Sequence, residues 1–131
     1  MARHHALNDL VYRAFVSANI PVTKEPVGLS RTDGKRPDGL TLIPFQSGRA
    51  LTWDVTVTHT MAESYARHSD IVAGHAAELA SARKQDKYAN LTSSYLFQPL
   101  AFETMGPINS SGLLFLTELG RRIFLTSGNK R

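Results

Sequence analysis

Two aspartates, Asp38 and Asp54, lie in extended runs of the chain that a short loop joins. The runs cover residues 36–43 and 50–58, and the second alternates apolar and polar side chains strictly. Because the loop between them reads Pro-Phe-Gln-Ser-Gly, the pattern predicts an antiparallel hairpin. If Gln46 is the centre of that loop, Asp38 lies directly opposite Asp54, with the two Cβ atoms about 4.5–5.5 Å apart.

Two facing carboxylates repel each other and both lose hydration, so the pair destabilises a fold unless a cation lies between them. Mg²⁺ prefers oxygen ligands and commonly uses one or two carboxylates together with waters and phosphate oxygens. We therefore expect the pair to hold one or two metal ions, which would polarise a phosphodiester and activate a water molecule. The alternative is that Asp38 belongs to a turn and pairs with Lys35 or Arg36, while Asp54 faces solvent from its strand.

The spacing of apolar residues predicts the elements that would position this pair. Their order is helix, three strands, helix, strand and helix, which predicts an α/β (α+β) fold, αβββαβ(α), in one domain over residues 1–131. We expect a central mixed four-stranded sheet flanked by helices. In chain order, the predicted elements are helix 3–19, strand 22–29, the two hairpin strands, one long or two shorter helices within 62–91, strand 95–102 and a helix from residue 109. Pro26 marks its strand as irregular or at an edge, and Pro99 fits the middle of its strand poorly.

Composition narrows the class of protein. The chain contains no cysteine, which excludes disulfides, thiolate zinc sites and a cysteine nucleophile. Its apolar runs are too short to cross a bilayer, and its first residues do not resemble a signal peptide, so we expect an intracellular protein without a membrane anchor. The net charge of +4 favours an anionic partner, although solvated surface charge is the ordinary explanation of such a value.

The segment Arg36-Pro37-Asp38, followed by a hairpin and then Asp54, resembles the signature of the PD-(D/E)XK (restriction-endonuclease-like) superfamily. The resemblance narrows to the restriction-like endonuclease domain of site-specific non-LTR retrotransposons and to related retroelement-derived proteins. It covers residues 3–104 and is carried by five short matches in the same order. These matches are Arg3-His4, Pro-Val-Gly-Leu at 26–29, Lys-Arg-Pro-Asp at 35–38, Asp54, and Lys-Gln-Asp-Lys-Tyr at 84–88.

The resemblance implies a Mg²⁺-dependent DNA endonuclease in which Mn²⁺ can replace Mg²⁺. It implies Asp38, Asp54 and Val55 as metal ligands. The superfamily usually has a lysine two residues after the second acid, but Thr56 stands there in this chain. In the retroelement branch that lysine lies in the following helix instead, which implies Lys84 or Lys87 as the catalytic lysine. His5 is a further departure, because that branch usually has an acid or an amide after Arg-His.

Two geometric arguments disagree on the lysine. On a helical wheel that takes Val72, Leu79 and Leu91 among the inward residues, Lys87 lies in the middle of the apolar stripe and Lys84 lies at its margin. A helix, however, rises about 1.5 Å per residue against about 3.3 Å for a strand, so the earlier lysine comes level with the second acid first. The sequence leaves both lysines open.

The expected partner is DNA, with Arg3, Arg31, Lys35, Arg36 and Tyr88 as nucleic-acid contacts. A fused or associated reverse transcriptase and a homodimer are also compatible with the resemblance, and in a eukaryote the expected compartment is the nucleus. The alternative function is a catalytically inactive nucleic-acid-binding module with the same fold, and a weaker one is a scaffold domain. Glu25 is either a third metal ligand or the ion-pair partner of a neighbouring basic residue, Lys24 or Arg31.

Overall fold

A computed structural model of the protein describes residues 2–26, 36–58, 74–89, 94–104 and 106–128. In chain order the elements are α1 (Ala2–Ser17), β1 (Val22–Lys24), β2 (Gly39–Thr41), β3 (Leu51–Thr58), α2 (His75–Lys87), β4 (Leu96–Glu103) and α3 (Ser110–Gly128). The predicted order of helices and strands is therefore confirmed. β1 is shorter than the predicted strand 22–29, because it ends at Lys24 and Glu25 has a positive φ of 46°. Residues 27–29, 62–73 and 90–91 of the predicted strand and helix lie outside the described residues. None of the described helices is long and apolar enough to cross a membrane.

The four strands form one mixed sheet in the order β1-β2-β3-β4. The first two neighbouring pairs are antiparallel, whereas β3 and β4 are parallel and pair along eight residues, from Leu51↔Leu96 to Thr58↔Glu103. Two parallel strands need a crossover connection, and α2 lies in that connection. The predicted mixed four-stranded sheet flanked by helices is confirmed.

One face of the sheet carries the main hydrophobic core, which α1 and α3 cover. The alternation along β3 directs Trp53 and Val55 to this face, where both are buried. The indole of Trp53 stacks on the ring of Phe15 from α1, with 4.8 Å between ring centroids. Phe115 from α3 packs against the same phenylalanine. The odd-numbered residues of β3 therefore serve packing, and the even-numbered ones are left for the opposite face.

The opposite face is covered by α2 through small side chains. Ala77 and Ala80 of the helix pack on Ala101 of β4, and all three are buried. Because alanines let a helix approach a sheet closely, polar side chains of β3 on this face come within reach of α2. Asp54 is one of these side chains and is buried. The layer between α2 and the sheet therefore contains a carboxyl group.

The β2–β3 hairpin keeps the predicted register although its loop differs from the predicted one. Gly39 pairs with Trp53 and Leu40 with Thr52, as expected for a register centred on Gln46. The tight turn itself lies further along, at Ser47 and Gly48, which both have positive φ (54° and 71°), as a two-residue hairpin turn requires. The assumption that Gln46 is the tip of the loop is therefore wrong.

The turn lies later in the chain than the register of β2 and β3 requires, so the first strand has extra residues. Residues 42–45 form an irregular bulge that accommodates them. The side chain of Thr41 stabilises the start of this bulge, because its Oγ1 accepts a hydrogen bond from Leu51 N at 2.9 Å and donates one to Ile43 O at 2.8 Å. A hydroxyl that makes both bonds replaces the missing ladder contacts. With the bulge in place, β2 and β3 pair in the register that directs the apolar side chains of β3 into the core.

Pro99 is compatible with β4 because that strand lies at the edge of the sheet. Asn109, the residue before α3, covers this edge with its amide. Its Oδ1 accepts a hydrogen bond from Ala101 N at 2.8 Å, and its Nδ2 donates to Pro99 O at 3.1 Å. Because this side chain bonds to the carbonyl of Pro99 and to the N–H of Ala101, it occupies backbone groups of the edge strand that could otherwise pair with another chain.

Candidate active site

Asp38 lies directly before β2, where the chain leaves the regular ladder. Its backbone N–H donates to Trp53 O at 3.0 Å, and its Oδ2 accepts a hydrogen bond from Val55 N at 2.6 Å. Asp38 therefore bonds to β3 on both sides of Asp54, through its backbone to Trp53 and through its carboxyl group to Val55. Gly39 allows this approach, because a Cβ atom at that position would be 2.0 Å from the indole of Trp53.

Asp54 is the buried member of the acid pair, with 4% of its surface exposed. The pKa of Asp54 is raised from 3.8 to about 7, mainly by burial and next by the negative charge of Asp38, while the ammonium group of Lys84 acts in the opposite direction. The charge of Asp38 therefore acts directly on Asp54, and ionisation of the buried carboxyl is opposed by both burial and its acidic neighbour.

Lys84 reaches this group from α2. Its Nζ lies 2.6 Å from Asp54 Oδ2, and its side chain is 22% exposed. A carboxylate oxygen has two lone pairs, so the contact with the ammonium group leaves one lone pair of Oδ2 open to a further ligand.

The position of α2 distinguishes between the two lysines. Lys84 follows the buried residues Ala80 and Ser81 on the sheet-facing side of the helix, whereas Lys87 is exposed. The helical wheel assigned the wrong inward face to α2, because it counted Leu79 as an inward residue and this side chain is 38% exposed. The different rise of helix and strand favours Lys84, and Lys84 is the lysine that lies beside Asp54, while its catalytic role stays a prediction. Val72 and Leu91, which also defined the wheel, lie outside the described residues.

Thr56 lies two residues after Asp54 and on the same face of β3. Its Oγ1 is buried and has no hydrogen-bond partner among the described residues. At this position the superfamily that the chain resembles usually has its lysine. The space beside Asp54 is therefore lined by a hydroxyl from β3 and by an ammonium group from α2.

His4 is a member of the site to which sequence reasoning assigned no role. Its Nε2 lies 3.1 Å from Asp38 Oδ2, the oxygen that also accepts from Val55 N. The two residues are 34 positions apart in the chain, so only the packing of α1 brings them together. The Arg3-His4 match was the one signal in the sequence that pointed to this part of α1.

The residues predicted to contact nucleic acid differ in their exposure. Arg3 and Arg36 are exposed, as such contacts must be, and Arg36 lies 3.5 Å from Glu25 Oε1. Arg31 and Lys35 lie outside the described residues. Tyr88 is fully buried and packs on Phe97, with 4.6 Å between ring centroids. We therefore assign Tyr88 to packing and do not retain it as a nucleic-acid contact.

Glu25 belongs to the surface rather than to the acid pair. Its side chain is 68% exposed and its ion-pair partner is Arg36, which is neither of the two basic partners predicted for it. Lys24, one of those two, pairs with Asp9 of α1. Among the described residues, nothing around Glu25 supports the third-ligand role considered for it, and its predicted partner Arg31 lies outside them.

A metal at this site would depend on two carboxylates. In the part of the chain that the structure describes, no three His, Asp or Glu side chains form a metal-binding group. Asp38 and Asp54 nevertheless fit a hard cation, because the two carboxyl groups lie close enough for the charge of Asp38 to raise the pKa of the buried Asp54, and both offer oxygen ligands. Val55 has no side-chain donor and would contribute its backbone carbonyl. Mg²⁺ commonly completes so small a ligand set with waters and phosphate oxygens.

Comparisons of the whole sequence with protein-family models and with curated proteins gave no match.

Proposed function

We propose that the protein is a Mg²⁺-dependent endonuclease that hydrolyses DNA phosphodiester bonds, with a domain of the PD-(D/E)XK kind. One observation carries this proposal: two carboxyl groups and one ammonium group, from three different elements or their ends, meet at Asp54. Such a group makes folding less favourable, since burial and the like charge of Asp38 both oppose ionisation of Asp54. A divalent cation would offset this cost and give the arrangement a use.

The residues at and near the acid pair have different roles in this proposal. Asp38, Asp54 and the carbonyl of Val55 hold the Mg²⁺, or Mn²⁺ in its place. The cation supplies Lewis-acid polarisation of the phosphate and an acidified water. Lys84 lies beside Asp54 and would orient the attacking water and stabilise the negative charge that develops on the phosphate. Lys87 is exposed and one turn away, and we assign it to binding of the DNA backbone.

Binding of DNA would depend on exposed basic residues around the acid pair. Arg3, which precedes His4 on α1, and Arg36, two residues before Asp38, are both exposed. Contacts of this kind are made to phosphates, so affinity should fall steeply with salt and show little sequence preference. A fused or associated reverse transcriptase, a homodimer and a nuclear location remain proposals that rest on the resemblance alone.

Cleavage of supercoiled plasmid at low salt tests the proposal. We expect nicked and linear products with Mg²⁺ or Mn²⁺ and none with EDTA, and loss of at least 100-fold in rate for Asp38→Asn and Asp54→Asn. Lys24→Ala is a matched control, because Lys24 is a partly exposed lysine paired with Asp9 away from the acid pair. An intact plasmid with both metals at micromolar protein would contradict the proposal.

One observation favours a second candidate, a nucleic-acid-binding module that has lost its chemistry. Lys84 lies 2.6 Å from Asp54 Oδ2 and so provides a cation for the acid pair from within the chain. In this case the wild type binds DNA but cuts nothing, and Asp54→Asn leaves DNA affinity unchanged within about twofold. DNA binding by fluorescence anisotropy, measured beside the cleavage assay, separates the two candidates.

A further inference from the structure

Helix α1 carries a polar stripe toward the acid pair. His4 and Asn8 are one turn apart, and Val11 and Phe15 continue the same face into the core. Asn8 is buried, and its Oδ1 accepts a hydrogen bond from Trp53 Nε1 at 2.7 Å. A buried amide at this position is a poorer choice for packing than an apolar side chain, unless its hydrogen bond fixes the helix.

The bond from Trp53 connects α1 directly to Asp38. Trp53 donates to Asn8 through its side chain, and its backbone carbonyl accepts the N–H of Asp38 at 3.0 Å. The first turn of α1 is thereby held at a fixed distance from Asp38. His4, which lies in that turn, is placed over the carboxyl group with its Nε2 at 3.1 Å from Oδ2.

Two donors meet on one oxygen of Asp38. A carboxylate oxygen accepts hydrogen bonds, so Nε2 of His4 carries the hydrogen and donates it, as the N–H of Val55 does at 2.6 Å. Two donors on Oδ2 fix the rotation of the carboxyl group about its Cβ–Cγ bond. They leave Oδ1 for other ligands.

We propose that His4 is a positioning residue that orients the carboxyl group of Asp38 for a divalent cation. This inference rests on the proposed metal-dependent function, because it concerns the same site. His4 contacts a ligand of the cation rather than the cation itself, and groups in that position commonly change metal affinity about 10- to 100-fold when removed. His5, the next residue of the helix, is exposed and meets His4 only at the ring edge.

Isothermal titration of Mn²⁺ into the wild type and the variants His4→Ala, His4→Gln and His5→Ala tests the inference without any cleavage assay. We expect His4→Ala to bind Mn²⁺ at least tenfold more weakly. His4→Gln should recover most of the affinity, because its amide nitrogen can also donate to Oδ2, and His5→Ala should bind as the wild type does. A metal-free ¹H–¹⁵N spectrum adds a second reading, in which the Val55 amide signal moves in His4→Ala and not in His5→Ala.

The outcomes separate the two proposals. If the wild type binds Mn²⁺ and His4→Ala binds it equally well, the positioning role is overturned while the proposed function stands. If the wild type binds no Mn²⁺, the proposed function fails, and the positioning role fails with it. Equal losses in His4→Gln and His4→Ala would also overturn the positioning role, because a donor at that place would then not matter.

Discussion

Lys84 and Asp54 form an ion pair of 2.6 Å between α2 and β3, beneath a helix that otherwise packs on the sheet through alanines. The pair lies beside Asp38, so the lysine is the positive member of a group with two acids. The effects of this ion pair on catalysis and on stability can each be measured.

Removal of the two helix lysines should have very different effects on cleavage. We expect Lys84→Ala to lower kcat about 100- to 1000-fold, the range found when a group that stabilises developing charge is removed. Lys87→Ala should lower it less than about threefold, because that side chain is exposed and away from Asp54. Single-turnover cleavage at saturating protein measures both rates. A larger loss in Lys87→Ala than in Lys84→Ala would refute the assignment.

The stability of the metal-free protein should fall as pH rises. The pKa of Asp54 is about 7 in the folded protein and 3.8 when unperturbed, so the folded state binds more protons in this window. The contribution is fully present below about pH 4 and is lost as pH rises through 7, and it amounts to roughly 4 kcal/mol at most. Asp54→Asn should remove most of this slope. Urea unfolding with EDTA at several pH values between 5 and 8 measures it.

Glu118 provides a check on the sign of that effect. Its hydrogen bonds with Arg121 and Arg122 lower the pKa of Glu118 from 4.5 to about 2. Its contribution is therefore present above pH 4.5 and is lost only as pH falls toward 2, which lies outside the window of Asp54. If the metal-free wild type were as stable at pH 8 as at pH 5, the raised pKa of Asp54 would be wrong.

The space around Gly39 permits a direct test of the hairpin that positions Asp38. A Cβ at Gly39 would meet the Trp53 ring at 2.0 Å, so we expect Gly39→Ala to destabilise the fold by about 3 kcal/mol and to weaken metal binding. Gly120→Ala is the control, because a Cβ there meets nothing within 4 Å and alanine favours a helix by up to about 1 kcal/mol. Thermal unfolding of both variants gives the comparison. Equal melting temperatures would contradict the close approach at Gly39.

Thr56 allows the lysine to be moved back to the strand. Thr56 and Asp54 share one face of β3, so a lysine at position 56 should reach the same carboxylate that Lys84 contacts. We expect the double variant Thr56→Lys with Lys84→Ala to cut DNA at least tenfold faster than Lys84→Ala alone. Thr56→Val alone should change the rate less than threefold, because the hydroxyl has no hydrogen-bond partner among the described residues. No recovery in the double variant would show that the position of the lysine is not interchangeable.

Local patterns were sufficient to predict the sheet and the acid pair. The alternation in residues 51–58 determines which side chains of β3 are buried, and a shift of one residue would expose Trp53. The register was therefore predictable, and the bulge at 42–45 adapts the loop to it. The position of the turn at Ser47 and Gly48 was not predictable in the same way, since several residues of the loop favour turns.

The remainder of the site depends on contacts between distant segments. His4 meets Asp38 only because the Asn8–Trp53 hydrogen bond fixes α1, and no local pattern encodes that bond. The choice of Lys84 depends on how α2 is rotated on the sheet, which the alanines at 77 and 80 determine and the larger Leu79 does not. Small side chains give a weak signal on a helical wheel, although they allow the closest packing.

A crystal soaked in Mn²⁺ tests the central claim most directly, because the anomalous signal of manganese locates the ion without reference to activity. We expect one strong peak within about 2.5 Å of oxygens of both Asp38 and Asp54, with Lys84 displaced from its 2.6 Å contact or shared with the ion. The peak should be absent in Asp54→Asn. A wild-type crystal with no peak at this site, and with the Lys84–Asp54 pair unchanged at millimolar Mn²⁺, would contradict the account.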